Sequence, residues 1–262
     1  MILIIASILV IIGSSFGYTV LLGTTWYFII LAILLGILTS GLFLVLFLII
    51  LMPVMKRLSH RSRLKKWLLT SISRFANFFL GINVKSYGKE NIPKYGKLTL
   101  YANHKSQVDP FLIGSNFTRI IAFTPKISLY KIPIISNYMH YYDCLPIDRD
   151  DNRRTAQTMI KAIKKVEDGL AMLIFPEAGI KTRETGKILE VKGGAFKIGT
   201  KAESDFLPIS IVGNEKIASK KWWQIIRIKV YYHPVIKYED VKELNTIELG
   251  DLVKDVINSK LA

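Results

Sequence analysis

The run Leu100-Tyr101-Ala102-Asn103-His104-Lys105-Ser106-Gln107-Val108-Asp109-Pro110 sets an imidazole and a carboxylate five positions apart, just past an apolar stretch. Strand ends followed by a turn are where α/β proteins present reactive groups. On one continuous helix the two side chains would diverge by about 140°, so they cannot pair that way. A turn through residues 105–108 brings them together, with Asp109-Pro110 as N-cap and first residue of a following helix. A carboxylate bonded to one ring nitrogen fixes the imidazole tautomer and stabilises the imidazolium once the other nitrogen takes a proton. This is general-base chemistry without a serine, so the nucleophile has to be a hydroxyl of the substrate. Such pairs also occur as purely structural contacts, and the pair alone does not decide between the two.

To hold the pair, the chain needs a strand ending near Ala102 and a helix starting near Asp109. Residues 98–102, 120–124, 143–147, 170–175, 206–212 and 225–232 read as strands from their length and their Ile, Val, Tyr and Phe content. Residues 155–168 carry Ala156, Met159, Ile160, Ile163 and Val166 at helical spacing and stop at Gly169. Further helices are expected over 195–202 and from Asp240 to the C-terminus. The alternation predicts an α/β sheet covered by helices.

The chain of 262 residues is half hydrophobic and has a net charge of +16, distributed very unevenly. Residues 1–55 contain no Asp, Glu, Lys, Arg or His, so all 36 basic and 20 acidic residues lie beyond them. Two apolar runs, 2–22 and 26–55, each exceed the roughly 20 residues that a helix needs to cross a hydrocarbon core. No basic segment precedes them, which argues against a cleaved signal peptide. Lys56, Arg57, Arg61, Arg63, Lys65 and Lys66 follow at once, and by the positive-inside rule that flank is cytoplasmic. A membrane-embedded helical hairpin over 1–55 results, either spanning or re-entrant in one leaflet. Residues 56–80 form a basic amphipathic segment with Trp67, Phe75, Phe78 and Phe79, suited to the headgroup interface or to packing on the globular part. Lys216, Lys220 and Lys221 beside Trp222-Trp223 make a second basic and aromatic cluster, fit for the bilayer surface or for a plain surface loop.

One cysteine, Cys144, and four histidines leave no multi-Cys or His-rich metal site, and no cofactor is implied. Flanked by Leu145 and Pro146, Cys144 reads as a small buried hydrophobe rather than a nucleophile. The basic excess calls for an anionic partner, and the apolar N-terminus favours lipid over nucleic acid, for which no motif is present.

Four stretches recur in the order of a known family. Gly88-Lys-Glu-Asn-Ile-Pro93 through His104-(four residues)-Asp109-Pro-Phe-Leu resembles the opening block of the PlsC-type phospholipid and glycerol acyltransferases. Cys144-Leu-Pro-Ile-Asp148-Arg149 is similar to the second block, Phe175-Pro176-Glu177-Ala178-Gly179 to the third, and Phe206-Leu-Pro-Ile209 to the fourth. The resemblance covers about residues 85–215 and implies a mixed sheet flanked by helices, of the glycerol-phosphate acyltransferase type, in a domain over 81–262. The third block departs from the usual Phe-Pro-Glu-Gly-Thr-Arg: Ala178 replaces Gly, and Gly179-Ile180-Lys181 precede Thr182-Arg183. Lys192-Gly193-Gly194-Ala195-Phe196 resembles a further lysine-glycine stretch of the family.

The resemblance implies His104 and Asp109 as catalytic residues, and Arg149, Lys192, Arg183, Thr182 and Glu177 as binding residues for the acceptor. Cations suit an acceptor phosphate, Arg above all because its planar fork matches phosphate oxygens two at a time. Glu177 would accept hydrogen bonds from acceptor hydroxyls or merely start a helix. The activity implied is acyl transfer from a coenzyme A or acyl-carrier-protein thioester to lysophosphatidic acid, at the cytoplasmic side of a cell membrane. A different lysophospholipid or hydroxyl acceptor is the nearest alternative. A non-catalytic module that binds anionic lipid is the other, and it would be indifferent to His104.

Overall fold

Residues 2–147 and 151–261 are described by the structure, a computed structural model. The chain forms two compact units that divide between Leu58 and Ser59.

The first unit is a pair of helices, α1 (Ile2–Leu22) and α2 (Trp26–Arg57). Their contact is made by small residues: Ala32, Gly36 and Ser40 recur every fourth position on α2 and are buried. A side chain at Gly36 would collide with Ser15 Oγ, so the glycine allows the backbones to approach. Ser40 Oγ donates to Ser7 O at 3.3 Å, and the hydroxyls of Tyr18 and Thr39 meet at 3.1 Å. The large side chains point outward, with Leu21, Ile50 and Phe16 among the most exposed. A buried helical pair would hide those residues; these faces are those of helices in contact with lipid.

The second unit holds a six-stranded mixed sheet: β1 (Ile82–Tyr87), β2 (Leu98–Ala102), β3 (Ile121–Phe123), β4 (Ala171–Ile174), β5 (Asp205–Val212) and β6 (Ile226–Tyr232), in the order β1-β6-β5-β2-β4-β3. Only β5 and β6 are antiparallel. Every residue of β2 and β4 is buried, as expected of central strands covered on both faces. Around the sheet lie α3 (Arg63–Phe79), α4 (Asp109–Gly114), α5 (Pro133–Tyr141), α6 (Asn152–Glu167), α7 (Lys197–Lys201), α8 (Tyr238–Val241) and α9 (Thr246–Asn258). The amphipathic α3 docks on α4, with Asn77 Nδ2 donating to Phe111 O at 3.3 Å and Arg74 Nε to Ser115 O at 3.0 Å.

Two expectations about the elements change, and one strand is additional. Residues 143–147 do not form a strand. They follow β3, with Leu145 N donating to Phe123 O at 3.1 Å and Ile147 N to Pro125 O at 2.9 Å. However, Asp143 is left-handed (φ 58°) and Pro146 has no N–H to extend the ladder. The single C-terminal helix is two, α8 and α9, because Asn245 caps α9 in a capping box with Glu248. The edge strand β1 was not anticipated.

Strand direction decides where the site lies. β2, β4 and β5 all end on one edge of the sheet, and β1 and β6, which run the other way, begin there. The loop after β2 carries His104, the one after β4 carries Glu177, and the one after β5 carries Asn214.

Candidate active site

Asp109 is fully buried, and its carboxylate is the hub of the edge. Oδ2 faces His104 Nδ1 at 3.0 Å and accepts from the backbone N–H groups of Lys105 and Ser106, both at 2.9 Å. Oδ1 accepts from Asn214 Nδ2 at 3.1 Å. Three of these partners are obligate donors, a set that suits an ionised carboxylate. Facing that acceptor, Nδ1 of His104 carries the ring proton and leaves Nε2 as the basic nitrogen. The expected turn is therefore present. Its capping differs from expectation: Val108 is the N-cap of α4, and the Asp109 carboxylate turns back to the preceding amides and the imidazole rather than onto its own helix.

The histidine is held from three sides. Its ring stacks on Phe175, centroids 4.0 Å apart and planes 18° apart. Its backbone N–H donates to Glu177 Oε1 at 2.7 Å, and Glu177 Oε2 takes Lys105 Nζ at 2.6 Å. Glu177 is 4 % exposed and Lys105 has no exposure, so this is a buried ion pair directly behind the base. Asn103, also buried, donates to Gly186 O, Ile211 O and Asn214 Oδ1 and accepts from Ile211 N at 2.8 Å. It ties the end of β2 to the end of β5. The imidazole itself keeps 16 % of its surface open to solvent.

The remaining expected residues divide. Arg183 reaches the catalytic turn, with Nε donating to Lys105 O at 3.0 Å. Thr182 closes a local turn, its hydroxyl accepting from Glu184 N at 3.2 Å. Lys192 is joined to the site through its backbone, whose N–H donates to Pro176 O at 2.9 Å. Its side chain is half exposed and pairs with Glu190 at 2.6 Å. Arg149 lies outside the described residues. The sequence offers Glu177 as an acceptor for substrate hydroxyls or as a helix-start residue; in the structure both its oxygens accept from the chain's own donors, which makes it a positioning residue for His104.

Comparison with known proteins gives these contacts a context. A family model described as Acyltransferase matches residues 83–212, a span that runs from β1 to the end of β5 and includes every member of the His104 network up to the strand end. The crystal structure of the 1-acyl-sn-glycerophosphate (LPA) acyltransferase PlsC from Thermotoga maritima superposes with a TM-score of 0.67 at 26 % identity, covering 83 % of this chain and 86 % of that one. Residues 83–212 form an acyltransferase domain of the PlsC type. A 1-acyl-sn-glycerol-3-phosphate acyltransferase of Borreliella burgdorferi is 26 % identical over 202 residues, 76 % of this chain and 80 % of the relative. A probable one from Mycoplasma genitalium is 28 % identical over 196 residues, 69 % and 71 % of the two chains.

The altered third block of this acyltransferase has a conformational signature. Ala178, where the family has glycine, adopts φ 56°, and Gly179 follows at φ 145°. The backbone still makes the left-handed turn that glycine favours, and the alanine carries the strain. Cys144 is buried, which pushes its thiol up to about 12, so it is not a nucleophile here. Four contributors have no role assigned from the sequence: Asn103 and Lys105 lie inside the first block, Phe175 opens the third, and Asn214 is 105 positions from Asp109, with no local signal.

Proposed function

We propose that this acyltransferase moves a fatty acyl group from a coenzyme A or acyl-carrier-protein thioester to the free hydroxyl of lysophosphatidic acid, yielding phosphatidic acid for phospholipid biosynthesis. The observation that carries the reading is the His104–Asp109 pair at 3.0 Å, with Nε2 of a partly exposed imidazole making no hydrogen bond among the described residues. The printed names of the relatives in Borreliella and Mycoplasma support the acceptor.

His104 Nε2 takes the proton of the acceptor hydroxyl, and the oxygen attacks the thioester carbonyl. Asp109 stabilises the imidazolium so formed. The tetrahedral oxyanion collapses, the C–S bond breaks, and the imidazolium returns the proton to the departing thiolate. Arg183, beside the catalytic turn, and Lys192 are cations suited to the acceptor phosphate; Arg149 is assigned the same role from its sequence block. Thr182 completes the Thr-Arg pair.

The acceptor is a bilayer lipid, and the outward side chains agree with that. Phe79, Trp222 and Ile225 are 78 %, 86 % and 79 % exposed, beside Lys220 and Lys221. Gly81 O accepts from Ile226 N at 2.9 Å, which brings the two stretches together where β1 and β6 begin, on the edge that bears His104. Residues 56–80 thus serve as an interfacial segment while packed on the domain, and the basic flank Lys56–Lys66 sets the catalytic unit on the cytoplasmic side.

The test is turnover by purified protein in bilayers given defined lysolipids and thioesters, with products read by mass spectrometry. His104→Ala and Asp109→Asn are each expected to lower acyl transfer by about 10²–10⁴-fold without loss of membrane association. Wild-type turnover in His104→Ala would refute the mechanism.

A further inference from the structure

The opposite edge of the sheet carries a feature the reaction does not use. A cleft of about 550 Å³ opens there between the start of α3 and the turns that lead into β2, β3 and β4. Arg61, Arg63, Lys66, Lys94 and Arg119 line it with His60, and among the described residues no carboxylate is in its walls. Among the described residues Arg61, Arg63, Lys66 and Lys94 make no side-chain ion pair or hydrogen bond. Asp143 and Asp168 act on the charge of His60 from outside the cleft lining, and Asp143 is engaged by Lys165 at 2.6 Å.

We propose that this cleft binds the phosphate headgroup of an anionic bilayer lipid that is not the acyl acceptor. The floor is built rather than adventitious. The Arg119 guanidinium donates to Gly96 O at 2.8 Å and Gly169 O at 2.7 Å, locking together the turns before β2 and β4. Burial, and then the charge of Arg61, hold Arg119 below its ordinary value, so two like charges face each other at the floor. An anion removes that repulsion. Guanidinium forks match phosphate oxygens, and the N-terminus of the 17-residue α3, capped by Ser62, adds its positive end.

Lipid is favoured over a free anion by the sequence around the cleft. His60 follows Arg57, the last residue of α2, by three positions, and polybasic segments next to apolar helices are drawn to anionic headgroups. Tyr95 is 86 % exposed at the rim, an amphipathic ring suited to the interface. α3 begins at the cleft and ends at the exposed Phe78 and Phe79, so a surface lying along it touches both. The site is not the catalytic one: the five residues of β2, at about 3.3 Å each, separate it from the His104 edge.

Native mass spectrometry of the full chain in detergent, with phosphatidylglycerol or phosphatidylcholine added, tests this. Wild type and His104→Ala are expected to retain a phosphatidylglycerol adduct and not a phosphatidylcholine one. Arg61→Gln/Lys66→Gln/Lys94→Gln is expected to lose that adduct at least tenfold while its turnover on a micellar acceptor is unchanged. Should the triple variant misfold, the exposed single variant Lys94→Glu is expected to weaken the adduct. Lys56→Gln/Arg57→Gln, which alters the flank outside the cleft, is expected to retain it. Equal retention in the cleft variants, loss only in the flank variant, or protection by millimolar inorganic phosphate with no lipid preference would each overturn the proposal.

Discussion

Replacing Glu177 by Gln separates two roles for the third sequence block. The amide oxygen can still accept from His104 N, but Lys105 Nζ loses its one charged partner among the described residues while remaining without solvent exposure. Breaking a buried pair from one side costs about 3–5 kcal/mol, because an uncompensated charge remains. For a unit of this size each kcal/mol lowers Tm by roughly 2–4 °C, so a fall of roughly 6–20 °C is expected in detergent, followed by thermal unfolding. Lys105→Met/Glu177→Gln is expected to recover most of that loss, since no charge is then left behind. In kinetics the single variant is expected to lower kcat through a loosened His104, with acceptor KM little changed. If Glu177→Gln kept its Tm and raised only KM, Glu177 would be a substrate ligand and its role in positioning His104 would be refuted.

Ala178→Gly is expected to stabilise the protein by about 1 kcal/mol, because the exposed alanine is held at φ 56°; an unchanged or lower Tm would deny that strain. A pH dependence follows from His60 and His233, both held below their ordinary value of 6.5, chiefly by burial. Below about pH 6.5 the unfolded chain binds protons that the folded one resists, so stability is full above that pH and declines as pH falls towards the folded values. His233 is neutral in a chain of bonds: Ser210 Oγ donates to Ile257 O at 2.6 Å and accepts from His233 Nε2 at 2.7 Å. His233→Gln is expected to flatten the decline in urea midpoints between pH 8 and 5.

The parts of this fold visible in the sequence are those where burial is complete. β2, β4 and β5 read as mostly apolar runs, broken only by Thr99 in β2 and by Asp205 and Ser210 in β5, because both faces of the sheet are covered, and the His104–Asp109 turn followed because no helix allows that pairing. β1 was missed because an edge strand alternates, and Asn83 and Lys85 dilute its pattern. Residues 143–147 misled because their composition suits a strand, while one left-handed residue and one proline prevent it. The role of Glu177 was not legible at all. A carboxylate after a strand looks the same whether it faces a substrate or a lysine 72 positions earlier.

The contact between Asn214 and Asp109 has a consequence for how the molecule comes into being. The apolar hairpin leaves the ribosome before the catalytic turn does. Yet the carboxylate that orients the base obtains its last partner only when the chain has grown 105 residues further. Pairings so distant in sequence form late, after their loop-closure entropy has been overcome. A nascent chain can therefore reside in its membrane, in the presence of both substrates, before the histidine is held for reaction. Competence arrives with the end of β5, as a property of the finished sheet rather than of the motif.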